Sequence, residues 1–441
     1  MLARQKKLVM CLDKCMYGLA DAPLLWSLAL KHWLVRHMGA LQSSFDDRHF
    51  FWKNKKTNRL TGEATCHVDD NALSGSTHDL EQRRRQLESR FGTMSRQTTP
   101  FIHVGVHYDK REGGGYHLHQ DTYCQAMKVA EVPRGQANEV SLDAAGTSSL
   151  RAVLGALLYL TITRHDISTD VVLLASKVTT ATYGDLRVAN AVVRRAQKNS
   201  KRGIHFPKLN GKLCIFCISD ASFSTKSTSY AVEGQVVLIK PAASMPSETG
   251  AFNAQQLTGP CHVISATARK AKRISHSTSH AESLSAYGAL TAAETVALRQ
   301  TEVNAPRHVA LPMEKLIQME QAGKYDMLIY HLTDCHDLVD LVVGHRGTPQ
   351  DRSQRLIILS LRERRLIRKT AGIMWTNTND MLANAMTKVV TSYDMLHKLL
   401  DTGTLTFCHD AEWYPSPEQA LTDYSEADLL IGTPVKQEQH Q

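Results

Sequence analysis

The chain has 441 residues, with 52 basic and 43 acidic groups, nine cysteines and 42% hydrophobic residues. That length accommodates two or three domains, and no run of about 18 apolar residues is present to cross a membrane. An odd number of cysteines, scattered from Cys11 to Cys408, makes no disulfide framework in a chain of this size. The opening MLARQKKLVMCLDK lacks the apolar core and small-residue cleavage site of a signal peptide. An intracellular chain, cytoplasmic or nuclear, neither secreted nor in a membrane, is therefore expected.

Charge is unevenly placed. From Asp401 onward eight acidic residues face the single Lys436, so the first 400 residues carry +16 of a net +9. A body that basic favours a polyanionic partner, most simply nucleic acid.

In chain order, Pro23 fits the first turn of a helix, and Leu24, Leu25, Leu28, Leu30, Trp33 and Leu34 follow it as an apolar run. HFFWKN reads as a strand. Next comes a β-prone Thr65–Val68 run, then Asp69, Asp70, Asn71 and Gly75, which predicts a strand, a tight bend and a second strand. Two carboxylates then meet at a hairpin tip. At about 4 Å they repel by roughly 4 kcal/mol in an effective dielectric near 20. A hard divalent cation such as Mg²⁺ relieves that repulsion, and a solvated Asp-Asp turn is the plain alternative.

Leu150, Leu154, Leu157 and Leu158 fall at i, i+4, i+7 and i+8, one face of a helix. Asp185–Arg195 is a second amphipathic helix, ended by the basic linker Lys198, Lys201 and Arg202. Strands are predicted at 212–219, 232–239 and 261–265, a helix at 279–298, a strand at 327–332, a helix at 352–368, a strand at 372–376 and a helix at 380–388. Cys214 and Cys217 have zinc-ligand spacing, but they lie in a strand and no second pair accompanies them. Met395, Leu396, Leu399 and Leu400 make one short helix. The acidic, proline-containing remainder to Gln441 is expected to be a flexible tail.

These residues carry a resemblance. Leu12-x-Lys14-x-x-Tyr17-Gly18-Leu19-x-x-x-Pro23-x-x-Trp26, then Phe45-x-Asp47, then Val68-Asp69-Asp70 resembles, in order and spacing, the reverse transcriptase of copia-type LTR retrotransposon Pol polyproteins. Ala20 and Asp21 stand where that family usually has Lys and Gln, and His67 where it has Tyr. The segments Phe101–Gly105, Tyr123, Arg151–Tyr159 and Arg164-His165-Asp166-Ile167 are similar to the next segments of the family. Ser219-Asp220-Ala221, Ser277–Glu282, Thr333-Asp334 and Thr378–Lys388 then resemble the ribonuclease H domain of the same polyproteins.

The fold class implied is α/β and α+β. Residues 1–100 would be a partial reverse-transcriptase palm, 101–204 a helical thumb and connection, and 205–390 a ribonuclease H-like mixed-sheet domain, with 391–441 the acidic tail. The resemblance implies Mg²⁺ or Mn²⁺ as cofactor and RNA, DNA and RNA–DNA hybrid as partners. It implies Asp69 and Asp70 as polymerase ligands, and Asp220, Glu282 and Asp334 as catalytic metal ligands of the ribonuclease site. Asn384 occupies the place of an expected fourth Asp, and Asp380, one turn earlier on a common helical face, is the candidate to substitute for it.

In the family a third polymerase Asp precedes the Tyr-Gly-Leu segment by tens of residues. The chain is thus expected to be a truncated polyprotein piece, inactive alone as an RNA-directed DNA polymerase unless a longer product supplies the missing polymerase half. Ribonuclease H action on hybrid would be weakened by Asn384. The alternative is a catalytically decayed nucleic-acid-binding protein, with Arg362, Arg364, Arg365, Arg368 and Lys369 on phosphates. A solvated helix face is the other reading of that cluster.

Overall fold

The computed structural model describes residues 20–68, 70–223, 230–242, 248–305, 311–389 and 393–419. The Leu12–Leu19 motif and Asp69 lie outside the described residues. Two compact units are formed, one by residues up to 96 together with 301–317, the other by 97–300 together with 318 onward.

In the first unit, helix α1 (Ala22–Arg36) carries proline in its first turn. Its apolar run does not lie on one face: Leu30 and Leu34 are buried against Phe50, Trp52, Ala64 and Leu87, whereas Leu24, Leu25 and Leu28 are exposed. At about 100° per residue the two sets point to opposite sides of the helix. Strands β1 (Leu41–Gln42), β2 (His49–Lys53), β3 (Leu60–His67) and β4 (Asp70–Gly75) form an antiparallel sheet in sequence order. Helix α2 (Thr77–Phe91) comes next, capped by Ser76, whose side chain accepts from the Asp79 N–H. Its Arg83 guanidinium stacks 4.5 Å over the Trp52 ring.

The second unit opens with β5 (Phe101–His103), β6 (Val106–Lys110), β7 (Gly115–His119) and the short helix α3 (Asp121–Ala126). Three helices come after it, α4 (Ala144–Leu160), α5 (Ser168–Ala175) and α6 (Tyr183–Lys198), and then β8 (Ile204–Pro207), which completes a four-stranded antiparallel sheet in the order β5-β6-β7-β8. The helices share a core of Leu150, Leu154, Leu157, Leu186 and Val193. Leu158 is not part of it and is 61% exposed, because i+8 lies about 80° from Leu150 around the helix. Arg164 and Asp166 are buried beside that core, the guanidinium donating from Nε and Nη2 to the two carboxylate oxygens at 2.9 Å each.

The remaining elements, in order, are β9 (Leu213–Ser222), β10 (Val232–Pro241), β11 (Gly250–Phe252), α7 (Ala254–Leu257), β12 (Gly259–Pro260), β13 (His262–Lys270), α8 (Thr278–Asn304), α9 (Met313–Gln321), β14 (Ile329–Thr333), α10 (His336–Val343), α11 (Arg352–Leu366), β15 (Gly372–Trp375), α12 (Asn384–Thr387), α13 (Asp394–Thr402), β16 (Thr404–Leu405) and β17 (Ala411–Pro415). A seven-stranded mixed sheet runs β11-β17-β15-β14-β9-β10-β13. Strand β9 is antiparallel to β10 and parallel to β14, which is in turn parallel to β15.

One core lies on each face of that sheet. Cys214, Phe216 and Ile218 enter one, Ile215 and Cys217 the other. Cys214 and Cys217, three positions apart, are therefore sent to opposite faces by strand alternation, where they cannot share an ion.

Three expectations are corrected here. Residues 380–388 are not one helix: a single 3-10 turn at Thr378–Asp380 is separated from α12 by Met381–Ala383. Asp380 is turned away to another task, its Oδ2 accepting the His409 N–H at 2.7 Å and pairing with His409 Nδ1 at 3.0 Å. Residues 393–419 are no loose tail. Helix α13 packs Leu396, Leu399 and Leu400 inward, and β17 adds to the central sheet beside β15 with Trp413 only 2% exposed. Alternating burial in a five-residue strand leaves too short a pattern to stand out among acidic neighbours. Among the described residues no helix is long and apolar enough to cross a membrane.

Candidate active site

Asp220 stands near the C-terminal end of β9, inside a sheet whose hydrophobic β9 and β14 leave their carboxyl ends as the place where polar groups emerge. The parallel register pairs Leu332 with Ile218. Two residues further along both strands, Asp334 follows the end of β14 at the level of Asp220. Glu282 arrives from the first turns of α8, and its Oε1 accepts the Ala221 N–H at 3.2 Å. Three carboxylates thus converge from a strand, a helix and a loop.

Asp220 and Glu282 are buried, at 3% and 5% exposure. Burial, then the charges of Asp220 and Asp334, push the Glu282 carboxyl well above the ordinary range. Burial also raises Asp220, with the Asp334 carboxylate adding to it and the Thr387 hydrogen bond and Lys388 charge opposing. Thr387 Oγ1 donates to Asp220 Oδ2, and Ser222 Oγ donates to the Thr387 carbonyl at 3.0 Å, which seats α12 against β9. Reasoning from sequence did not single out Thr387, although it lies in the quoted 378–388 segment.

Asn384 occupies the start of α12. Its Nδ2 donates to the Thr378 carbonyl at 3.0 Å, while its Oδ1 is buried with no partner. Glu282 Oε2 is buried and without a partner as well.

A set of hard oxygens, two orphaned acceptors and mutually repelling acids fits a divalent cation of the Mg²⁺ class. Asp220, Glu282 and Asp334 would hold it, with the Asn384 carbonyl as a neutral donor. The three carboxylates do not form a set of ligand atoms all within 4.8 Å of one another, as Asp109, His117 and His119 do. Two ions about 3.5–4 Å apart spread their oxygens more widely than a single ion does.

The chain is similar to a retrotransposon Pol polyprotein. Over 248 residues it is 26% identical to the retrovirus-related Pol polyprotein from transposon RE1 of Arabidopsis thaliana, a match that takes in 52% of the chain and 16% of the relative. The chain therefore spans a small fraction of that relative's length. No protein-family model matches it. The relationship is to a retrotransposon Pol protein, and the mixed α/β architecture is consistent with the fold class expected.

The other predicted residues fare differently. Asp70 is the first residue of β4, exposed, and paired in register with His67 at the end of β3, beside the turn that Val68 enters. Val68 in that turn has φ +53°, a left-handed conformation unusual for a β-branched residue, and its carbonyl accepts the Trp26 Nε1–H at 2.7 Å. The antiparallel strand pair expected there is present, with Asp69 outside the described residues.

The basic cluster on α11 is corrected. Arg362, Arg364 and Arg365 are buried rather than facing solvent. Arg362 donates from Nε to the Leu341 carbonyl at 2.7 Å, Arg364 from Nε to Glu294 Oε1 at 2.8 Å, and Arg365 from Nη2 to the Pro415 carbonyl at 2.6 Å. Arg368 donates to the Glu418 carbonyl, and Lys369 pairs with Glu320. Arg362, Arg365 and Arg368 satisfy backbone carbonyls, and Arg364 and Lys369 pair with carboxylates. Charge content alone does not reveal which face of α11 is covered.

Proposed function

We propose that the second unit is the ribonuclease H-like portion of a copia-type Pol polyprotein, cutting the RNA strand of an RNA–DNA hybrid with Mg²⁺ or Mn²⁺. The observation that carries this reading is the convergence of Asp220, Glu282 and Asp334 at the carboxyl ends of β9 and β14. The strand order β13-β10-β9-β14-β15, with β10 antiparallel and β14 and β15 parallel to β9, supports the same reading.

When bound, the cation supplies an activated water and neutralises charge on the phosphodiester. Asp220, Glu282 and Asp334 would hold it, and Thr387 orients Asp220 through its hydroxyl. Glu282 Oε2, buried without a partner, is the oxygen left facing a cation. The three helices α4–α6 support a thumb, and the hairpin leading to Asp70 supports a polymerase palm in the first unit.

Cleavage of a labelled hybrid by the purified full chain tests the reading. Activity dependent on Mg²⁺ or Mn²⁺, falling by on the order of 100-fold in Asp220→Asn, is expected; cleavage equal in wild type and variant would overturn it. A second reading, a binding protein that has lost turnover, is favoured by Asn384, whose amide offers no charge where the resemblance expects an acid. Retained hybrid binding without any cleavage selects it.

A further inference from the structure

Five polar side chains share one face of the small sheet β5–β8. His107 and Asp109 on β6, His117 and His119 on β7, and His205 on β8 are alternate residues of their strands, which places each strand's set on a single surface. The register puts His107 opposite His119, and sets Asp109 and His205 on either side of His117.

We propose that Asp109, His117 and His119 form a binding site for one divalent transition ion of the zinc class. Their ligand atoms all lie within 4.8 Å of one another. A tetrahedral ion with bonds of about 2.0–2.2 Å spaces its ligand atoms roughly 3.3 Å apart, so small side-chain rotations close the cage. Two imidazoles and a carboxylate suit borderline ions, and water takes the fourth position.

The ring nitrogens point to the same conclusion. His117 Nε2 is buried and has no hydrogen-bond partner, an exception that calls for a ligand the protein itself does not provide. His119 Nε2 lies 2.9 Å from Asp109 Oδ2, and its Nδ1 accepts the Asp121 N–H at 3.2 Å. In the ion-free protein the His119 proton therefore sits on Nε2. An ion at that atom transfers the proton to Nδ1 and opens the contact with Asp121 at the start of α3.

Neighbouring rings hold the ligands in place. His205 stacks on His117 with centroids 4.0 Å apart, and His107 on His119 at 4.6 Å. Burial, then the charges of His205 and His119, lowers His117 to about 4, so at neutral pH its lone pair is free without loss of a proton. The set lies apart from the carboxylate site in chemistry as well, since imidazole is a poor ligand for Mg²⁺.

Cobalt titration of the full chain tests this. One equivalent of Co²⁺ is expected to give tetrahedral d–d absorption, displaced by Zn²⁺ and not by excess Mg²⁺. His117→Gln should abolish the signal and Asp109→Asn should weaken binding at least tenfold, while His78→Gln, on α2 of the other unit, leaves it unchanged. Zn²⁺ should raise the thermal midpoint of the wild type but not of Asp109→Asn, a half-exposed position that keeps the test open should His117→Gln not fold. Co²⁺ binding indifferent to both substitutions, or no tight binding by the wild type, overturns the proposal.

Discussion

The Ala221 N–H donates to Glu282 Oε1 at 3.2 Å, while the second oxygen of the same carboxylate is buried without a partner. One oxygen is tied to the strand that carries Asp220, and the other is left for something the protein does not supply. Groups that are half-satisfied in this way, or held by several partners at once, have measurable effects on stability and on the candidate site.

Glu282 and Asp220 are raised by burial, and by the charge of Asp334. A carboxyl with a raised folded pKa binds its proton more tightly in the native state than in the unfolded chain. Its contribution is greatest at low pH and is lost as pH rises from about 4 toward the raised value. Without added metal, Glu282→Gln is expected to be more stable than wild type at pH 7. Mg²⁺ should stabilise the wild type and leave the variant unmoved. Urea unfolding at pH 7 with and without Mg²⁺ measures both, and a destabilised variant would count against a repelling acid cluster.

Asp166 has the opposite sign. Burial alone would raise it, but Arg164 and His397 outweigh burial and hold its carboxyl well below the ordinary range. The resulting stability is present above the unfolded pKa near 4 and disappears as pH falls toward the lower folded value. Asp166→Asn leaves the Arg164 guanidinium buried and uncompensated, at an expected cost of about 3–5 kcal/mol at pH 7. That gap should narrow on acidification below pH 4, and denaturant midpoints across the range would show whether it does.

Trp413 tests whether the acidic C-terminal region is part of the core. At 2% exposure it packs with ring centroids 5.6 Å from Tyr330. Trp413→Ala is expected to cost about 3–5 kcal/mol, whereas a substitution in a loose tail would stay within about 0.5 kcal/mol. Thermal melts of the full chain separate the two.

The arginines of α11 give a fourth outcome. Arg362→Ala removes donors to the Leu341 and Arg346 carbonyls, and a loss of about 1.5–3 kcal/mol is expected from such charged hydrogen bonds. If these arginines are struts, the salt dependence of nucleic-acid binding by the folded variant stays as in the wild type. A slope reduced by about one unit would make Arg362 a phosphate contact after all.

Much of this protein is determined by its sequence alone. Continuous apolar runs such as Cys214–Ile218, buried on both faces of the sheet, with turn residues at their ends, make the strands of the central sheet. The order of strands and helices around Asp220, Glu282 and Asp334 is legible because β9 and α8 are long and β14 is an apolar run, buried throughout, that ends at a polar break. The hairpin before Asp70 was legible for the same reason.

Only the tertiary structure decided which polar groups are paid for by partners. Arg362, Arg364 and Arg365 look from their charge like a solvated or phosphate-binding face, yet carbonyls and Glu294 hold them inside. Asp380 reads as a spare ligand until the turn at His409 claims it, and the tail reads as loose until β17 finds β15. The histidines at 107, 117, 119 and 205 are separated by up to about a hundred positions, and strand pairing alone brings their rings together. Local pattern fixes which elements form; long-range pairing decides what each side chain meets, because burial and hydrogen bonding depend on neighbours that spacing along the chain does not encode.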